Sequence, residues 1–445
     1  MDDYTSKGYW LATYGPYAAN PPLKGELSVD VAIIGGGFTG MAAAYFIKRE
    51  QPALRVAVFE DQVVGYGASG RNGGFSMTLF GLTMGITAFR FGKEAAREAQ
   101  HYMEQAVDLL DSLIHEHGID CDYEYNGFFR VATTPAYVKR IQEEMQLSQS
   151  LGIEGVEWVD AERLRDWVQS PVYLGAWWEP RCAILNPLKL VRGMKRVAEA
   201  AGAEIHEHSP VTGFERDAEI TLRTPSGLVR AQKAVFATNA YSAQFPLLAS
   251  RQLPVHTHIV LTEPLDPRRL AEIGWSRRQG IEDARNFVHY YRLTADNRLL
   301  MGGERVQYYS GNGTRQDTHE PTFRLLENHV RTVFPVLQDV RFTHRWGGPV
   351  SVNLDFAPNL GYVDGDKRLV YSVGCIGHAV SMTHLNGWTI ADLILERETE
   401  RTDVFFVNRS HIPFPGEPLR AIAANGVIEY MRAEDAILER KGLGL

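Results

Sequence analysis

Three glycines between two apolar segments are the residues of this chain whose spacing indicates chemistry most directly. Gly35, Gly37 and Gly40 follow an apolar run at 31–34 and precede a helix-forming stretch at 41–50. In a strand–turn–helix of this kind, the first glycine makes a tight turn, the second lets the backbone approach a pyrophosphate, and the third packs helix on strand. Unpaired N–H groups and the helix dipole then favour the phosphates. The spacing predicts a dinucleotide site.

A carboxylate stands where the sugar of that nucleotide would lie. A second apolar run at 56–59 ends in Glu60, twenty residues after Gly40, and an acid at this point accepts hydrogen bonds from ribose hydroxyls. Two rival motifs are incomplete. The glycine turn lacks the Lys-Ser/Thr of a P-loop, and Arg71 replaces the last glycine of a nucleophile elbow.

Two further glycine-rich segments suggest close approach to a ligand. The segment 63–75, VVGYGASGRNGGF, has five glycines in thirteen residues, a density typical of backbone that contacts something flat or anionic. Near the other end of the chain, a strand at 369–373 enters the turn 374–378 and a helix expected at 379–396. That helix start could stabilise the negative charge that gathers on a reduced flavin. An ordinary strand–helix crossover or a merely flexible loop would also explain these two segments.

Composition favours a globular enzyme and argues against several partners. The chain has 445 residues, of which 44% are hydrophobic and 22% charged, with a net charge of −8. This balance argues against a nucleic-acid or anionic-membrane partner. No apolar run approaches the roughly 20 residues of a membrane span, and no signal peptide is recognised. Three scattered cysteines fit free thiols in a reducing cytoplasm, so we expect a cytoplasmic location.

Histidine pairs do not form a metal motif. His206/His208 and His256/His258 stand two apart, as do His115 and His117, but no cysteine or carboxylate stands at a characteristic ligand spacing. We therefore predict no metal site. The remaining pattern predicts an N-terminal surface arm, a β-meander from 203, and a hairpin YYRL-TADN-RLLMGG whose turn is at 294–297.

Five segments together resemble the FAD-dependent amine oxidases of the D-amino-acid oxidase, glycine oxidase and sarcosine oxidase superfamily. They are the glycine fingerprint, GYGASGRNGGF, YYRLTADNRLLMGG, HRWGGP and GHAVSMTHLNGWTIADLI. The resemblance is nearest to the γ-glutamylputrescine oxidase branch, which belongs to bacterial putrescine catabolism, and it extends from the N-terminal arm to IPFPGEPLR. It implies an α/β fold, in which a Rossmann-like FAD-binding domain is interleaved with a substrate domain of mainly antiparallel sheet and helices. The expected FAD-binding segments are 28–85, 187–250 and 340–400, and the substrate segments are 86–186 and 251–339. An arm at 1–27 and a C-terminal extension at 401–445 complete the chain.

The resemblance also implies which residues hold the cofactor. Pyrophosphate, ribose, ribityl chain, adenine and ring would be contacted by Gly35, Gly37, Phe38, Thr39, Gly40, Glu60, Ala68, Ser69, Arg71, Asn72, Gly73, Gly74, Val211, Thr238, Gly377, His378, Ala379, Val380 and Ser381. Sarcosine-oxidase relatives tether their flavin through a cysteine after the counterpart of His344–Gly348. The segment 350–364 has none, so we expect noncovalent FAD.

The substrate pocket is where this chain departs from its branch. His289 and Ile376 replace an acid and a polar residue, and Ser381 replaces the lysine of sarcosine oxidases. An apolar, aromatic pocket would depress the pKa of an amine and so favour its oxidation. We expect Tyr290, Tyr291 and Trp346 to form it beside His378, with Arg292 or His289 binding an anion at the far end of the substrate. Core packing is the competing interpretation for each of them.

The predicted activity is oxidation of a C–N bond in a small amine. Hydride passes to flavin, the imine hydrolyses to an aldehyde, and dioxygen is reduced to hydrogen peroxide. Three alternatives stay open: a flavin dehydrogenase with another electron acceptor, a hydroxy-acid oxidase, and a non-catalytic dinucleotide-binding sensor. The sequence does not define the amine or the oligomeric state.

Overall fold

The computed structural model describes residues 4–442 and contains two eight-stranded sheets and a two-stranded ribbon. The strands are β1 (Gly25–Ile34), β2 (Val56–Phe59), β3 (Phe75–Ser76), β4 (Phe128–Ala132), β5 (Glu157–Asp160), β6 (Gly175–Glu179), β7 (Ala183–Ile184), β8 (Glu204–His206), β9 (Gly213–Arg216), β10 (Ile220–Thr224), β11 (Gly227–Phe236), β12 (Leu253–Thr262), β13 (Gly280–Asp283), β14 (His289–Leu293), β15 (Leu299–Tyr308), β16 (Phe342–Val352), β17 (Asn359–Val363) and β18 (Asp366–Val373). The α-helices are α1 (Tyr9–Thr13), α2 (Phe38–Glu50), α3 (Met84–Phe91), α4 (Lys93–Glu116), α5 (Pro135–Ser150), α6 (Ala161–Arg165), α7 (Pro187–Ala200), α8 (Pro267–Ile273), α9 (Glu320–Val333), α10 (Met382–Ile394) and α11 (Leu419–Gly442).

The first sheet has the order β17-β18-β11-β1-β2-β8, and β10 and β9 continue antiparallel from β11. Strand β1 lies at its centre, parallel to β2 on one side and to β11 on the other. Because both faces of such a strand are covered, it reads as an unbroken apolar run, as 31–34 does. The first glycine turn therefore leaves the carboxyl end of a central parallel strand, where open α/β sheets bind ligands.

Helix α2 begins at the first glycine turn, α10 begins four residues after the second, and the two helices cross in the core. A Cβ on Gly387 would lie 2.5 Å from the Cβ of Ala42, so only glycine permits this crossing distance. Both helices are apolar nearly all round because they are buried on nearly all sides. Their packing fixes the two helix starts relative to each other.

The second sheet has the order β16-β12-β15-β14-β13-β4-β6-β5 and is antiparallel except for the pair β13–β4. Strands β14 and β15 form the predicted hairpin. The register of β12 against β15 shifts between His256 and His258, which pair with Gln307 and Gly303. Residues 304–306 therefore form a bulge, a feature that re-aims side chains next to functional sites.

The predicted fold class and the β-meander are confirmed, with local differences. The arm is not merely superficial, because Tyr9, Trp10 and Leu11 are buried. Helix α10 begins at Met382, three residues later than expected, because 379–381 form a turn. Strand β16 pairs with β12 in the second sheet, which would move the third boundary of the FAD-binding segments beyond 352. The domain boundaries stay a prediction, and parts of the arm and extension lie outside the described residues.

No helix within residues 4–442 combines the length and the apolar character that crossing a membrane would require.

Candidate active site

The first glycine turn leaves no room for side chains. Gly35 has φ +109°, and a Cβ there would lie 2.7 Å from the Ala237 carbonyl oxygen. A Cβ on Gly40 would lie 1.9 Å from the carbonyl oxygen of Gly35. One on Gly37 would lie 2.9 Å from Ser69 Oγ. These three positions therefore need glycine for the turn, the helix contact and the approach of the neighbouring loop.

Residues of this turn line a cavity of about 820 Å³. The N-cap residue of α2 is Gly37, which has no side chain to cap the helix, and the Phe38 N–H donates to Ser69 Oγ of the neighbouring loop at 2.9 Å. Glu60 accepts from the backbone N–H of Gly36 at 2.7 Å and of Gln62 at 3.1 Å, and burial raises its pKa to about 7. The cavity thus has a helix N-terminus at one point of its wall and a carboxylate at another.

A second cavity, of about 350 Å³, adjoins the first. Six residues line both: Phe38, Ala68, Ser69, Asn239, Cys375 and Thr383. The first cavity is also lined by Gly35, Gly37, Thr39, Glu60, Val211 and Thr238. The second is also lined by Arg71, Asn72, Gly73, Tyr290, Gly377, His378, Ala379 and Val380. The two glycine turns therefore meet along one continuous wall.

The second glycine turn presents backbone to this shared space. Gly374 and Gly377 have φ +78° and +88°, and Ile376 between them also has a positive φ of 50°. Ser351 anchors the turn, since its Oγ and its carbonyl oxygen accept from the N–H groups of Gly374 and Ile376 at 2.9 and 3.0 Å. Burial lowers the pKa of His378 to about 4. Its imidazole is consequently neutral beside the cavity.

Two tryptophans hold the loop between the cavities. The indole of Trp10 donates to the Asn72 carbonyl at 2.9 Å, and that of Trp346 donates to the Arg71 carbonyl at 2.8 Å. The Arg71 guanidinium donates to the Tyr66 carbonyl and pairs with Asp317 at 2.9 Å. The loop backbone is therefore fixed from behind, a role for which neither tryptophan carries a sequence signal.

Four of the expected pocket residues do not line the cavity. Trp346 faces the loop backbone instead. Arg292 is fully buried and donates to the carbonyls of Leu185, Gly74 and Gly73 at 2.5, 3.2 and 3.4 Å. Tyr291 packs in the core, with its hydroxyl 2.7 Å from that of Tyr173. His289 lies between Asp283 and Glu304.

These placements correct the expectation, and strand geometry explains those of His289 and Tyr291. Successive side chains alternate between the faces of a sheet, so Tyr290 faces the cavity while Tyr291 faces the core. Among the cofactor candidates, Gly40, Gly74 and Ser381 lie behind the walls. A Cβ on Gly74 would lie 1.9 Å from the Leu185 carbonyl oxygen, and Ser381 Oγ donates to Met77 O at 3.1 Å. They support the site without lining it.

Two carboxylates and one helix were missed. Glu282 and Glu304 line the second cavity, and so do residues of α11: Ala423, Ala424, Val427, Ile428 and Met431. The C-terminal extension therefore covers the cavity. The carboxylate of Asp435 on α11 helps to hold the helix there, since it accepts from the N–H groups of Asn286 and Phe287. A charged residue inside an apolar strand, as in GIED, was the available signal for Glu282.

One group of potential metal ligands lies beside these carboxylates. Within the described ranges, Asp283, His289 and His329 alone place three ligand atoms within 4.8 Å of one another. Arg285 already pairs with Asp283, and His289 hydrogen-bonds both Asp283 and Glu304. The group is better explained as a buried ion-pair network than as a metal centre.

The geometry fits FAD. An uncapped helix start and a glycine turn that a Cβ would fill face the first cavity, and a second turn with exposed backbone at Gly377 faces the second. Such a pair of adjoining spaces suits a molecule with a pyrophosphate in one and a flat ring in the other.

Comparison with known proteins agrees with this geometry. Residues 30–393 match the family model described as DAO, FAD dependent oxidoreductase. Gamma-glutamylputrescine oxidoreductase of Escherichia coli is 32% identical over 418 residues, covering 94% of each chain. Glycine oxidase of Bacillus subtilis is 24% identical, covering 84% of this chain and 94% of that one. The structure of glycine oxidase from Geobacillus kaustophilus superposes with a TM-score of 0.72 at 22% identity, covering 86% and 99% of the two chains. The chain therefore belongs to the DAO family of FAD-dependent oxidoreductases.

Proposed function

We propose that this chain oxidises the C–N bond of a small primary or secondary amine, with dioxygen as the electron acceptor. The observation that carries the proposal is the shared wall of the two cavities, which brings both glycine turns to one FAD-sized space. Relatives named for gamma-glutamylputrescine, sarcosine and glycine support an amine or amino acid as the donor. Bound FAD supplies the capacity to accept a hydride from carbon.

The residues of the second cavity would prepare the amine for this step. An ammonium group cannot release a hydride from its neighbouring carbon easily, so the nitrogen must be neutral when it reacts. Apolar walls disfavour the charged form and lower the pKa of a bound amine. Most of the wall is apolar; examples are Val255, Ile259, Val350, Phe287 and Val288. The neutral imidazole of His378 adds no charge beside the reacting carbon.

Noncovalent attachment of FAD and a cytoplasmic location are part of the proposal. The three cysteines are free thiols, which supports a reducing compartment. Cys375 is the one described cysteine that lines the cavities, and its Sγ accepts from Asn239 Nδ2 at 3.1 Å. Acid precipitation of the holoenzyme should leave the flavin in the supernatant; a coloured pellet would mean covalent attachment.

Anaerobic titration of the holoenzyme with primary and secondary amines tests the activity. We expect the oxidised-flavin absorbance to bleach, and to return with stoichiometric hydrogen peroxide when air is admitted. Bleaching with slow recovery in air would indicate a dehydrogenase. Bleaching by hydroxy acids alone, or by no donor tested, would favour a hydroxy-acid oxidase or a non-catalytic sensor and would contradict the proposal.

A further inference from the structure

The cavity face of the second sheet carries a carboxylate in register with the cavity tyrosine. Glu282 on β13 pairs with Tyr290 on β14, which pairs with Gly302 on β15. Paired residues on neighbouring strands share a face. A Cβ on Gly302 would lie 2.3 Å from the Tyr290 hydroxyl, so this glycine makes room for the ring.

A second carboxylate reaches the cavity through the bulge. Glu304 has φ +67°, which is uncommon for a residue with a side chain. Gly303 beside it has φ +110°, and a Cβ there would lie 1.8 Å from the Val288 carbonyl oxygen. The Oε2 atom of Glu304 lies 2.9 Å from His289 Nε2. The bulge thus aims an anchored carboxylate into the cavity, at the cost of an unusual backbone conformation.

Glu282 has no such anchor. Its side chain is buried, at 3% residue exposure, yet within the described part of the chain no hydrogen-bond donor reaches its carboxylate. Its one ion pair there is with Arg130 Nε at 3.7 Å, and Arg130 also pairs with Glu144. A buried carboxylate without a hydrogen bond is costly. It is therefore a group that a bound ligand can satisfy.

The charges around the two carboxylates do not balance. Burial opposes protonation of His289, but Asp283 and Glu304 outweigh it and raise its pKa. The imidazolium and three guanidinium groups, those of Arg130, Arg285 and Arg305, then face five carboxylates: Glu144, Glu282, Asp283, Glu304 and Glu439. One negative charge is left over when Glu282 is ionised. Arg71 is the one arginine among the described residues that line the second cavity, and it pairs with Asp317. That cavity therefore offers no free cation to a substrate carboxylate.

Building on the function proposed above, we propose that Glu282 and Glu304 form a subsite for a second, non-reacting cationic nitrogen. The substrate class is then a diamine, with its alkyl chain along the apolar walls, and not an amino acid. The reacting nitrogen has to be neutral, whereas an ionised carboxylate stabilises an ammonium. The two carboxylates therefore suit the nitrogen that keeps its charge.

Three amine donors that differ only at the end far from the reacting nitrogen test the subsite: 1,4-diaminobutane, 1-pentylamine and 5-aminopentanoate. Rapid anaerobic mixing with the holoenzyme gives the dissociation constant and the limiting rate of flavin reduction separately. We expect diaminobutane to bind about 10- to 100-fold more tightly than pentylamine, and aminopentanoate to bind most weakly. The difference should lie in the dissociation constant more than in the limiting rate.

The variants Glu304→Gln and Glu282→Gln should each reduce the diamine-to-monoamine affinity ratio by about tenfold or more. Glu327→Gln is the matched control, because Glu327 pairs with Arg345 and does not line the cavity; it should leave the ratio unchanged. If a variant loses its flavin, the order of the three dissociation constants in the wild-type enzyme decides whether the subsite exists.

Failure of the subsite differs from failure of the amine oxidase proposal. Equal affinity for diaminobutane and pentylamine, preference for aminopentanoate, or an unchanged ratio in both glutamine variants would overturn the subsite while amines still bleach the flavin. Absence of bleaching by any amine would instead overturn the proposed function, and the subsite with it.

Discussion

The first cavity, where we propose that the nucleotide binds (the nucleotide cavity), differs in construction from the second, where we propose that the amine binds (the amine cavity). The first is shaped by backbone: a turn at Gly35–Gly37, the start of α2, and main-chain N–H groups that donate to Glu60. The second is shaped by side chains from β13, β14, β15 and α11. Backbone sites need glycine at fixed spacing, whereas side-chain sites depend on which face of a strand a residue occupies.

Substitutions in the two cavities should therefore have different consequences. A substitution in the nucleotide turn meets a carbonyl that cannot move without the sheet, so its effect should be nearly all-or-none. A substitution around the amine cavity should instead separate into effects on stability and effects on substrate, according to the direction of each side chain.

Gly40→Ala should weaken FAD binding at least about 100-fold, because its Cβ would lie 1.9 Å from the Gly35 carbonyl oxygen. Equilibrium titration of apoprotein with FAD, followed by flavin fluorescence, measures this. Gly426→Ala is the control, since nothing lies within 4 Å of its Cβ position and alanine suits a helix. Near-normal FAD affinity in Gly40→Ala would remove the contrast between the two cavities.

Arg292→Met should lower the free energy of unfolding by about 2–4 kcal/mol, because three buried carbonyl groups lose their donor. Denaturant unfolding measures the loss. Arg324→Met, which removes only an exposed pair with Glu320, should cost less than about 0.5 kcal/mol. A stable Arg292→Met variant with weakened binding of carboxylate-bearing substrates would restore the original expectation for Arg292.

Glu282→Gln should stabilise the substrate-free protein at pH 8 but not at pH 4. Burial raises the pKa of Glu282 to about 7. The positive charge of Arg130 lowers this pKa, whereas the negative charges of Asp283 and Glu144 raise it further. The carboxylate is thus neutral in both states at low pH, and stability is lost as pH rises through the folded-state pKa. The gain in unfolding free energy at pH 8 should reach about 2–3 kcal/mol. An identical difference at both pH values would contradict this.

The neighbours Tyr290 and Tyr291 give the finest test. Tyr291→Phe removes a hydroxyl contact with Tyr173 and should cost about 1 kcal/mol of stability without changing amine affinity. Tyr290→Leu should raise the amine dissociation constant about 3- to 10-fold. Flavin-reduction titrations and denaturant unfolding of both variants measure the separation, and exchanged phenotypes would show that the strand faces are reversed.

Much of the fold could be predicted because its signals are local. The apolar run before Gly35, the turn glycines and the hairpin at 290–303 each specify backbone conformation within a few residues. The same holds for most cofactor candidates, which lie on cavity walls.

The lining of the amine cavity could not be predicted fully, because it depends on residues that are far apart in the sequence. The phase of β14 decides that Tyr290 and not Tyr291 faces the cavity, and the bulge in β15, which arises in its pairing with β12, decides the direction of Glu304. Helix α11 reaches the cavity from the far end of the chain. Trp10 was expected in the surface arm and Trp346 in the substrate pocket, and only the hydrogen bonds that their indoles donate to the loop reveal their place.

A crystal structure of the protein with FAD tests most directly whether the two glycine turns serve one cofactor. We expect the pyrophosphate at Gly35–Gly37, the ribose at Glu60 and the flavin ring beside Gly377–Val380, with Glu282 and Glu304 left facing open space. A cofactor confined to the first cavity, or a flavin ring directed away from the second turn, would contradict it.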